Sequence, residues 1–406
     1  MKKRILVVSQ HFWPESFRIN DITEGFLENG YEVEVLCGIP NYPAGQFFDG
    51  YGVFKNRRQT KDGVKIRRCF EIKRGKNTNF RIFLNYMSFP VSSIFSLPYL
   101  KKQKYDKIFL YNTSPVMMAV AGILLGRKMK IETTMYVLDL WPENLYSVLK
   151  IKNKLLRGII MRVSNWHYRN TDKLIANSQS LRTLLIDRIG KEENKVTYIP
   201  QFCEKVFEAS IEDEELAERF SKTFNLVFTG NISPAQSFET VIGAAKILKE
   251  KGYKDLNWII VGDGMSRKWL ENEVKKEELS DCFTFIGRMP MEDIPKYTHI
   301  ADVLFACLAK SEMLECTLPA KVFSYYAAGR PLLLSMEGEI QQIVRESNAG
   351  YIVNPGDPAA FADAVVKFYD TSIENRSAMG AAAKDYYFKH FERDMNMKKL
   401  IDFIES

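Results

Sequence analysis

The chain has 406 residues, and at roughly 100–200 residues per domain this length is enough for two or three domains. With 46% hydrophobic, 26% charged and 13% aromatic residues, the composition excludes a largely disordered chain, a collagen-like repeat and a small disulfide-stapled protein. The net charge of +7 is unevenly distributed: residues 1–200 carry 33 basic and 17 acidic side chains, whereas residues 201–406 carry 24 and 33. Two domains with different partners are therefore predicted, the first of them meeting something anionic.

The six cysteines and the N-terminus bear on the cellular compartment. The cysteines form no CxxC pair and no regular framework, and the apolar run that begins at Ile5 is too short for a signal peptide. Free thiols without an export signal are typical of a reducing compartment, so a cytoplasmic protein is expected.

The first half of the chain repeats the order strand, helix, strand. Ile5–Val8 is a continuous apolar run typical of a strand buried on both faces, and apolar residues at helical spacing follow from Ile19 to Leu27. Gly30 ends that helix, and Val33 and Val35 begin the next strand, which completes a βαβ unit. The same alternation predicts further elements at Lys107–Tyr111, Pro115–Leu125, Lys130–Leu138, Lys173–Ala176, Ser180–Arg188 and Lys195–Ile199.

An acidic stretch over residues 205–222 separates this half from a second series of strands and helices. The elements predicted there are Leu226–Phe228, Phe238–Lys249, Trp258–Val261, Ser266–Lys276, Phe283–Ile286, Met291–Tyr297, Val303–Phe305, Pro319–Ala328, Pro331–Ser335, Ile340–Glu346 and Tyr351–Val353. Two such series predict an α/β protein with two doubly wound, Rossmann-like domains facing a cleft. Ligands are expected at the carboxyl ends of the strands.

Several absent motifs narrow the function. The sequence has no GxxxxGK[ST] phosphate-binding loop, no GxSxG nucleophile elbow and no HExxH zinc motif. Gly262-Asp263-Gly264 lacks the third glycine of a dinucleotide fingerprint, which disfavours nicotinamide binding. No Asp-x-Asp occurs, which removes the usual carboxylate pair for a metal-bound nucleotide diphosphate, so neither a metal nor another cofactor is expected. Phosphates would be bound by backbone amides, helix N-termini and a few cations.

The loop over residues 228–236 suits such binding, because it joins a predicted strand to a helix. Gly230 allows close backbone approach, and Asn231, Ser233 and the free N–H groups of the next helix could receive an anion. The alternative is a glycine turn with an ordinary capping residue.

Two other loops have the same character. Pro319 presets the first turn of a helix in which Lys321 opposes the helix dipole unless an anion is bound, and this conflict favours a functional lysine. Gly287 and Arg288 follow a buried strand, where the backbone could lie against a flat base.

In the first half, Asp139 stands at the end of an apolar strand, which places its carboxylate at the cleft unless it only caps the next helix. His11 and Trp13 lie in the first loop between strand and helix, also at the cleft mouth. A single histidine there is as compatible with a structural role as with a functional one.

The segment Arg57–Lys104 interleaves cations with aromatic rings. Such a segment could lie on an anionic membrane surface, with residues 82–100 as an in-plane or buried helix in preference to a membrane-spanning one. A solvated or dimer surface and a nucleic-acid site are the alternatives, but no nucleic-acid-binding motif is present, so nucleic acid is not an expected partner.

Blocks spread over nearly 400 residues occur in a characteristic order: SQHFWPESFRINDITEGFLENGYEVEVL, VLDLWPENL, KLIANSQS, FTGNISPAQSFETVIGAAKIL, WIIVGDG, FTFIGRMP and TLPAKVFSYYAAGRPLLL. This ordered set resembles the retaining GT-B glycosyltransferases of family 4, and among them the O-antigen and capsule subgroup typified by N-acetyl-L-fucosaminyl transferase. The resemblance implies an acceptor-binding domain over 1–204, a nucleotide-sugar-binding domain over 205–384 and a crossover helix over 385–406 that packs on the first domain. The C-terminal helix itself is expected at about Ala381–Glu405.

The resemblance also implies roles for individual residues. Gly230–Ser233 and Lys321 would contact the donor diphosphate, and Gly287 and Arg288 would lie near its base. The predicted catalytic residues are Asp139, Lys321 and Glu315; further donor contacts are Gln236, Cys316, Thr317, Leu318, Ser324 and Glu339; and the acceptor contacts are His11, Trp13, Asn41 and Tyr42.

The chain departs from the family pattern at several of these positions. Two glutamates that the family spaces eight residues apart fall on Cys316 and Ser324, and Glu339 is the expected substitute at the ribose hydroxyls. Asn231 and Gln236 stand where many members carry a basic residue, and Leu138 stands where many carry a histidine. The residue that supports positive charge on the transferred sugar is therefore left open.

The resemblance predicts metal-independent, retaining transfer of a sugar, expected to be N-acetylated, from a UDP-sugar to a saccharide on undecaprenyl diphosphate. Such an enzyme would build O-antigen or capsule polysaccharide from the cytoplasmic face of the inner membrane, as a peripheral protein on its anionic surface. A nucleotide-sugar 2-epimerase of the same fold and a non-catalytic protein that binds anionic membranes are the alternatives.

Overall fold

The computed structural model describes residues 2–76, 78–143, 145–146, 153–311 and 315–406. The chain forms two compact units, one of Met1–Pro200 with Met397–Ser406 and the other of Gln201–Asn396. The sequence places the two divisions at 204/205 and 384/385, whereas the chain enters the second unit at Gln201 and returns to the first at Met397. Each unit contains a mainly parallel sheet with helices, so the predicted α/β fold class is confirmed.

The sheet of the first unit contains β1 (Arg4–Val8), β2 (Glu32–Cys37), β3 (Arg58–Lys61), β4 (Val64–Arg68), β5 (Lys107–Asn112), β6 (Thr133–Val137), β7 (Lys173–Ala176) and β8 (Val196–Tyr198). Their order is β3-β4-β2-β1-β5-β6-β7-β8, and the described pairs are parallel except for the antiparallel β3 and β4. The strand order changes direction between β1 and β5, because β2, β4 and β3 lie on one side of β1 and β5 to β8 lie on the other. Loops after these central strands are therefore expected to form the ligand end of the unit.

The helices of this unit are α1 (Ile19–Glu28), α2 (Asn79–Ile94), α3 (Leu97–Leu100), α4 (Val120–Met129), α5 (Lys154–Arg169) and α6 (Gln179–Ile189). Helix α1 buries the apolar face formed by Ile19, Ile22 and Phe26. Gly25 in the same helix leaves room for Met397, because a Cβ at Gly25 would lie 2.6 Å from the Met397 methyl carbon. The C-terminal segment thereby packs on α1.

Three elements of the first unit were missed in the sequence, namely β3, β4 and α5. In β4 the buried Val64 and Ile66 alternate with the exposed Lys65, but the charged residues of this edge hairpin obscure that period. Helix α5 begins at an Asn153 cap, whose side chain accepts from Leu156 N–H at 3.1 Å, and buries few of its residues. Its mixture of cations and exposed apolar residues hides the helical period.

Residues 82–100 form most of α2 and all of α3, as a helix lying on the unit. No helix within the described ranges is both long and apolar enough to cross a membrane. The helix is buried on one face, because Asn85 and Phe89 face the interior while Phe80 and Val91 are exposed. An in-plane position on a membrane stays a prediction.

The second unit contains a parallel sheet of β9 (Phe224–Thr229), β10 (Leu256–Val261), β11 (Phe283–Gly287), β12 (Val303–Cys307), β13 (Leu332–Ser335) and β14 (Gly350–Val353), in the order β11-β10-β9-β12-β13-β14. The switch in strand order lies between β9 and β12. The later helices are α7 (Glu214–Arg219), α8 (Phe238–Glu250), α9 (Arg267–Lys276), α10 (Ile294–His299), α11 (Ala320–Ala328), α12 (Glu339–Ser347), α13 (Pro358–Asp370), α14 (Ile373–His390) and α15 (Arg393–Glu405). The strands and helices predicted from the sequence are present, with ends displaced by up to four residues.

The prediction of one continuous C-terminal helix over about Ala381–Glu405 is wrong. Helix α14 ends at His390, and Phe391 leaves the helical conformation with its ring buried against the rings of Phe323 and Tyr326. Glu392 then caps α15, its carboxylate accepting from the N–H groups two and three residues later at 2.8 and 2.7 Å. Burial of the Phe391 ring and the Glu392 cap together divide this segment into two helices.

Candidate active site

Three glycines mark the carboxyl ends of adjacent strands in the second unit. Gly230 follows β9, Gly262 follows β10 and Gly287 ends β11, with φ of 133°, 151° and 87°. Gly230 N–H donates to Val261 O at 2.9 Å, and Gly262 N–H donates to Gly287 O at 2.8 Å. A Cβ on Gly262 would lie only 1.9 Å from Gly230 O. Gly262 therefore allows the two loops to pack, a role that its incomplete dinucleotide motif does not indicate.

The loop over residues 230–236 is supported by the loop after β10. Ile232 N–H donates to Asp263 O at 2.9 Å, and Ser266 N–H donates to Ile232 O at 3.0 Å. A Cβ on Gly264 would lie 2.5 Å from Asn231 Oδ1. Asn231 itself is exposed and Ser233 is half-buried, so a rigidly held loop presents its backbone and two polar side chains at the surface.

Lys321 is brought to this loop by the packing of α11. One helical turn beyond it, the Tyr325 hydroxyl accepts from Thr229 N–H at 2.8 Å, which fastens α11 to the end of β9. Lys321 lies on the same face of the helix, and its amine donates to Gln236 Oε1. The amine also lies 3.4 Å from the position that a Cβ on Gly230 would occupy. Three predicted donor-site residues, Gly230, Gln236 and Lys321, are thus neighbours.

The environment of Lys321 disfavours a charged amine. Although the residue is partly exposed, its amine is enclosed between the loop and the Phe228 ring, 3.8 Å from the ring centroid. Burial lowers the pKa of Lys321 to about 7, with the nearby Cys307 thiol opposing this shift. Within the described part of the chain no carboxylate is paired with Lys321, so a bound anion would restore the charged form.

The rim beside Gly287 contains an arginine that the sequence analysis missed. A Cβ on Gly287 would lie 3.2 Å from an Nη of Arg267, which is paired with Glu271 at 2.8 Å and with Asp263 at 3.7 Å. Arg288, the predicted contact, is exposed beside it. Arg267 is the first residue of α9 and directly follows the loop that contains Gly262 and Gly264. This position in the sequence could have identified it as a candidate.

The opposite rim joins the segment 315–318 to the start of α12. Gly338 has φ of 95°, and a Cβ there would lie 2.1 Å from Glu315 O, so the backbone of Glu315 meets the residue that precedes Glu339. Cys316 and Thr317 are half-buried. Leu318 and Ser324, by contrast, are buried in the unit, at 4% and 6% exposure, which places these two predicted donor contacts in the interior.

In the first unit, Glu15 assembles three of the predicted acceptor residues. Its carboxylate is hydrogen-bonded to His11 Nδ1 at 2.9 Å and accepts from the N–H groups of Asn41 and Tyr42, each at 2.7 Å. Burial alone would raise the pKa of Glu15, but His11 and the two backbone N–H groups outweigh it, and the pKa is lowered. Glu15 was not singled out in the sequence because its partners are contributed by another loop.

A second buried carboxyl group lies behind this one. Glu71 Oε1 accepts from Gln10 Nε2 at 2.8 Å and from Asn85 Nδ2 at 2.6 Å. Its other oxygen fills the space above Gly38, where a Cβ would lie 1.7 Å away. Burial raises the pKa of Glu71 to about 7 and Glu15 adds to the shift, while His11 and the hydrogen bonds oppose it.

The polar side chains form one network, here called the acceptor-end cluster, which joins the loops after β1, β2 and β4 to α2. Asn85 is its centre, because its Oδ1 accepts from Arg74 Nε at 3.2 Å while its Nδ2 approaches Asn41 Oδ1 at 3.3 Å. His11 and Asn41 are 3% and 0% exposed, so the network holds them in fixed positions. Its members are Gln10, His11, Glu15, Asn41, Glu71, Arg74 and Asn85.

Asp139 and Trp13 lie outside this cluster. Asp139 follows β6 and is half-buried, and two residues later the Trp141 indole donates to Ser114 Oγ at 2.7 Å. Trp13 N–H donates to Asn20 Oδ1 at 3.0 Å, and its ring meets the Tyr51 ring edge-on at 6.4 Å. Both residues end at the loop side of the sheet, as their strand-end positions predict.

Across the residues that the structure describes, no three His, Cys, Asp or Glu side chains are grouped as metal ligands. The predicted independence of metal stays a prediction.

The comparisons with known proteins cover both units. A family model described as Glycosyltransferase Family 4 matches residues 17–204, and one described as Glycosyl transferases group 1 matches residues 210–386. The structure of Anabaena Alr3699/HepE in complex with UDP and glucose superposes with a TM-score of 0.73 over 99% of both chains, at 14% identity. The chain is a glycosyltransferase with the GT-B fold.

Two relatives extend the similarity along most of the glycosyltransferase. "Probable glycosyltransferase WbjE" of Pseudomonas aeruginosa is 24% identical over 343 residues, which cover 82% of either chain. WcaI of Escherichia coli strain K12, whose name assigns it to colanic acid biosynthesis, is 24% identical over 349 residues, covering 82% of this chain and 83% of the relative. The non-catalytic alternative is dropped on these grounds.

The departures of this glycosyltransferase from its family pattern now have a local explanation at one position. Gln236 stands where a basic residue is common, and its amide oxygen accepts from the Lys321 amine. A basic residue at position 236 would instead repel the Lys321 ammonium group. Gln236 therefore serves as a neutral hydrogen-bond acceptor that positions the Lys321 amine. Cys316 and Ser324 stand in place of the two glutamates, and the substitution of Glu339 at the ribose hydroxyls stays a prediction.

Proposed function

We propose that the glycosyltransferase transfers an N-acetylated sugar from a UDP-sugar to a saccharide carried on undecaprenyl diphosphate, with retention of configuration and without a metal. The reaction would contribute to an O-antigen or capsule polysaccharide. The observation that carries the proposal is the enclosed Lys321 amine beside the exposed backbone of Gly230. Similarity to Alr3699/HepE, which was solved with UDP and glucose, and to WcaI supports the donor and the pathway class.

The second unit would bind the diphosphate of the donor. The N-terminal turn of α11, the Lys321 amine and the loop at Gly230 converge from two elements on one small region. Negative charge grows on the UDP oxygen as the bond to the sugar breaks, and preorganised N–H groups and a cation stabilise that charge most in the transition state. Lys321 would become fully protonated when the diphosphate binds.

The first unit would bind the acceptor. Tyr42 and Trp13 lie at the loop end of the sheet, and the acceptor-end cluster holds the loop that carries Tyr42. Asp139, at the end of β6, would orient the acceptor hydroxyl or support positive charge on the sugar. Both roles require a carboxylate at the loop end of a central strand, which is where Asp139 lies.

The first unit would also contact the membrane. Along α2, apolar residues at helical spacing form an exposed stripe opposite the buried Asn85 and Phe89; its members are Phe80, Phe83, Val91 and Ile94. Helix α5 carries a second exposed stripe, of Leu155, Leu156, Ile159 and Val163. Both helices pack against the turn Val116–Ala119 of the first unit.

The basic side chains around these stripes favour an anionic lipid surface as their binding partner. Residues 51–130 carry 18 basic and 3 acidic side chains, and α5 adds exposed cations such as Lys154 and Arg157. Apolar side chains flanked by cations are typical of interfacial helices on anionic membranes. We therefore place the enzyme at the cytoplasmic face of the inner membrane, where a lipid-linked acceptor is exposed.

The proposal is tested by incubating the full chain with UDP-N-acetylglucosamine and a short-chain lipid diphosphate saccharide, with EDTA present. The expected result is UDP release that depends on the acceptor, and a product that keeps the anomeric configuration of the donor. A matched reaction without acceptor tests for the alternative activity, that of a nucleotide-sugar 2-epimerase. Formation of an epimer there, or transfer only with added divalent metal, would contradict the proposal.

A further inference from the structure

Arg74 is a buried cation in the acceptor-end cluster that the proposed catalytic roles leave unused. The side chain is 8% exposed, and its guanidinium lies between two tyrosine rings, 4.8 Å from the Tyr42 centroid and 5.1 Å from the Tyr86 centroid. Its Nε donates to Asn85 Oδ1 at 3.2 Å, and one Nη lies 3.5 Å from His11 Nε2. Stacked rings and a neutral amide thus fix the plane of the guanidinium.

The charge of Arg74 is not matched by a carboxylate. Among the described residues, no Asp or Glu side chain lies within 4.0 Å of its guanidinium; the two nearby carboxyls, of Glu15 and Glu71, are bonded to other groups. Its Nη1 makes no hydrogen bond to a described residue, yet it is not among the polar atoms sealed from solvent. A buried arginine in this state is expected to receive an anion, because an unpaired buried charge is costly.

We propose that Arg74 is the anion-binding residue of the acceptor site, and that it binds a phosphate of the diphosphate that links the acceptor sugar to its lipid. The inference rests on the proposed function, whose acceptor it makes specific. A planar guanidinium binds phosphate oxygens through two parallel N–H groups, which gives both affinity and orientation. The flanking rings of Tyr42 and Tyr86 hold it in the orientation for that contact.

Helix α2 connects this site to the exposed apolar stripe. Asn85 and Tyr86 of α2 contact Arg74, whereas Phe83 and Val91 of the same helix are exposed on its outer face. A lipid diphosphate has the same order of parts, with an apolar chain, then an anion and then a sugar. Helix α2 and the two segments packed on it therefore present, in this order, apolar side chains, the guanidinium of Arg74 and the loop of Tyr42.

The test is calorimetric titration of the UDP-saturated full chain with inorganic pyrophosphate. Saturation with UDP occupies the donor site, so the remaining binding reports a second anion site. The Arg74→Gln variant is expected to bind pyrophosphate at least about tenfold more weakly, since a hydrogen bond to a charged group is lost. Arg81→Gln, an exposed arginine of the same helix, is the matched control and is expected to bind within about twofold of the wild type.

Arg74→Lys and Tyr86→Leu keep the test decisive if Arg74→Gln fails to fold. Lysine retains the charge without the planar fork, and leucine removes one flanking ring, so each is expected to weaken pyrophosphate binding by a smaller factor. Equal binding by wild type and folded Arg74 variants, or no pyrophosphate binding by the UDP-saturated wild type, would overturn the inference. A wild type that binds pyrophosphate through Arg74 but does not bind UDP would contradict the proposed donor instead.

Discussion

The Lys321 amine lies 3.8 Å from the centroid of the Phe228 ring and donates to Gln236 Oε1. The ring belongs to the penultimate residue of the central strand β9, and the amide belongs to the loop that follows. An ammonium group is attracted to the face of an aromatic ring, but burial opposes its charge more strongly, and the pKa of Lys321 falls to about 7. The amine is therefore poised to gain a proton when an anion arrives.

Replacement of Lys321 by alanine is expected to lower turnover by roughly 100-fold or more, because the cation that stabilises the leaving diphosphate is lost. The fold should be intact, since Lys321 lies in the first turn of α11 and its amine has one hydrogen-bond partner among the described residues. Turnover and the melting temperature are measured together. Lys310→Ala, which removes a more exposed lysine paired with Glu337 in the same unit, should keep near-normal turnover. A Lys321→Ala enzyme with wild-type turnover would remove Lys321 from the mechanism.

Donor affinity is expected to depend on pH through the same amine. Lys321 is mostly charged below its pKa of about 7 and mostly neutral above it, whereas the bound diphosphate requires the charged form. UDP affinity should therefore fall by about tenfold between pH 6 and pH 8. Calorimetric titration of wild type and Lys321→Met at both pH values separates this effect from titration of the nucleotide. An equal change in UDP affinity between pH 6 and pH 8 in the two proteins would show that Lys321 does not contribute to the pH dependence.

Gly262→Ala is expected to abolish UDP binding, because the new Cβ would lie 1.9 Å from Gly230 O and would displace the diphosphate loop. Gly252→Ala is the matched control: it also has positive φ, at 90°, but no atom lies within 4 Å of its Cβ. Both variants carry the backbone cost, and only Gly262→Ala carries the collision. UDP affinity that is unchanged in Gly262→Ala would contradict the packing of these two loops.

Glu71→Gln is expected to stabilise the protein at pH 8 and to have little effect at pH 5. Burial raises the pKa of Glu71 from 4.5 to about 7 in the folded state, so folding free energy is lost as the pH rises from about 4.5 to about 7, and the loss reaches about 3 kcal/mol at pH 8. The groups that face it, besides Gln10 and Asn85, are His11 and Glu15, with the Cys37 thiol nearby. Thermal unfolding at both pH values measures the effect.

Glu132→Gln provides a control of opposite sign for the preceding variant. Lys107 and Lys173 bind the Glu132 carboxylate at 2.8 and 3.1 Å and lower its pKa, so its charged form stabilises the fold at pH 8. Its replacement should destabilise the protein at that pH. Destabilisation by Glu71→Gln at pH 8 would show that the buried Glu71 is stabilising as a carboxylate.

Val91→Asp and Ile159→Asp are expected to weaken binding to anionic phospholipid vesicles, each by roughly tenfold or more, because each places a charge in an apolar stripe that lies in the lipid interface. Ile373→Asp is the control, since Ile373 is even more exposed but lies on the second unit. Vesicle flotation measures binding. Undiminished flotation of both stripe variants would contradict membrane contact through α2 and α5.

The central strands and the donor loops could be read from the sequence because their signals are local. Continuous apolar runs such as Ile5–Val8 allow only a strand buried on both faces, and Lys321 in the first turn of a helix conflicts with its own dipole. In both cases the deciding residues are adjacent in the chain.

The acceptor-end cluster could not be read in this way, because its members come from four separate segments. Glu15 bonds to the backbone at Asn41, and Asn85 to Arg74 and Glu71, over separations of 11 to 26 residues. No local pattern specifies such pairs. The break at Phe391 was missed for the same reason, since the rings that hold it, of Phe323 and Tyr326, belong to α11.

Binding of a uridine diphosphate sugar to the second unit through Lys321 is measured by calorimetric titration of the full chain with UDP, with GDP as the competing nucleotide. We expect that the wild type binds UDP, binds GDP much more weakly, and loses most of its UDP affinity in Lys321→Ala. Absence of UDP binding, preference for GDP, or equal UDP affinity in Lys321→Ala would contradict it.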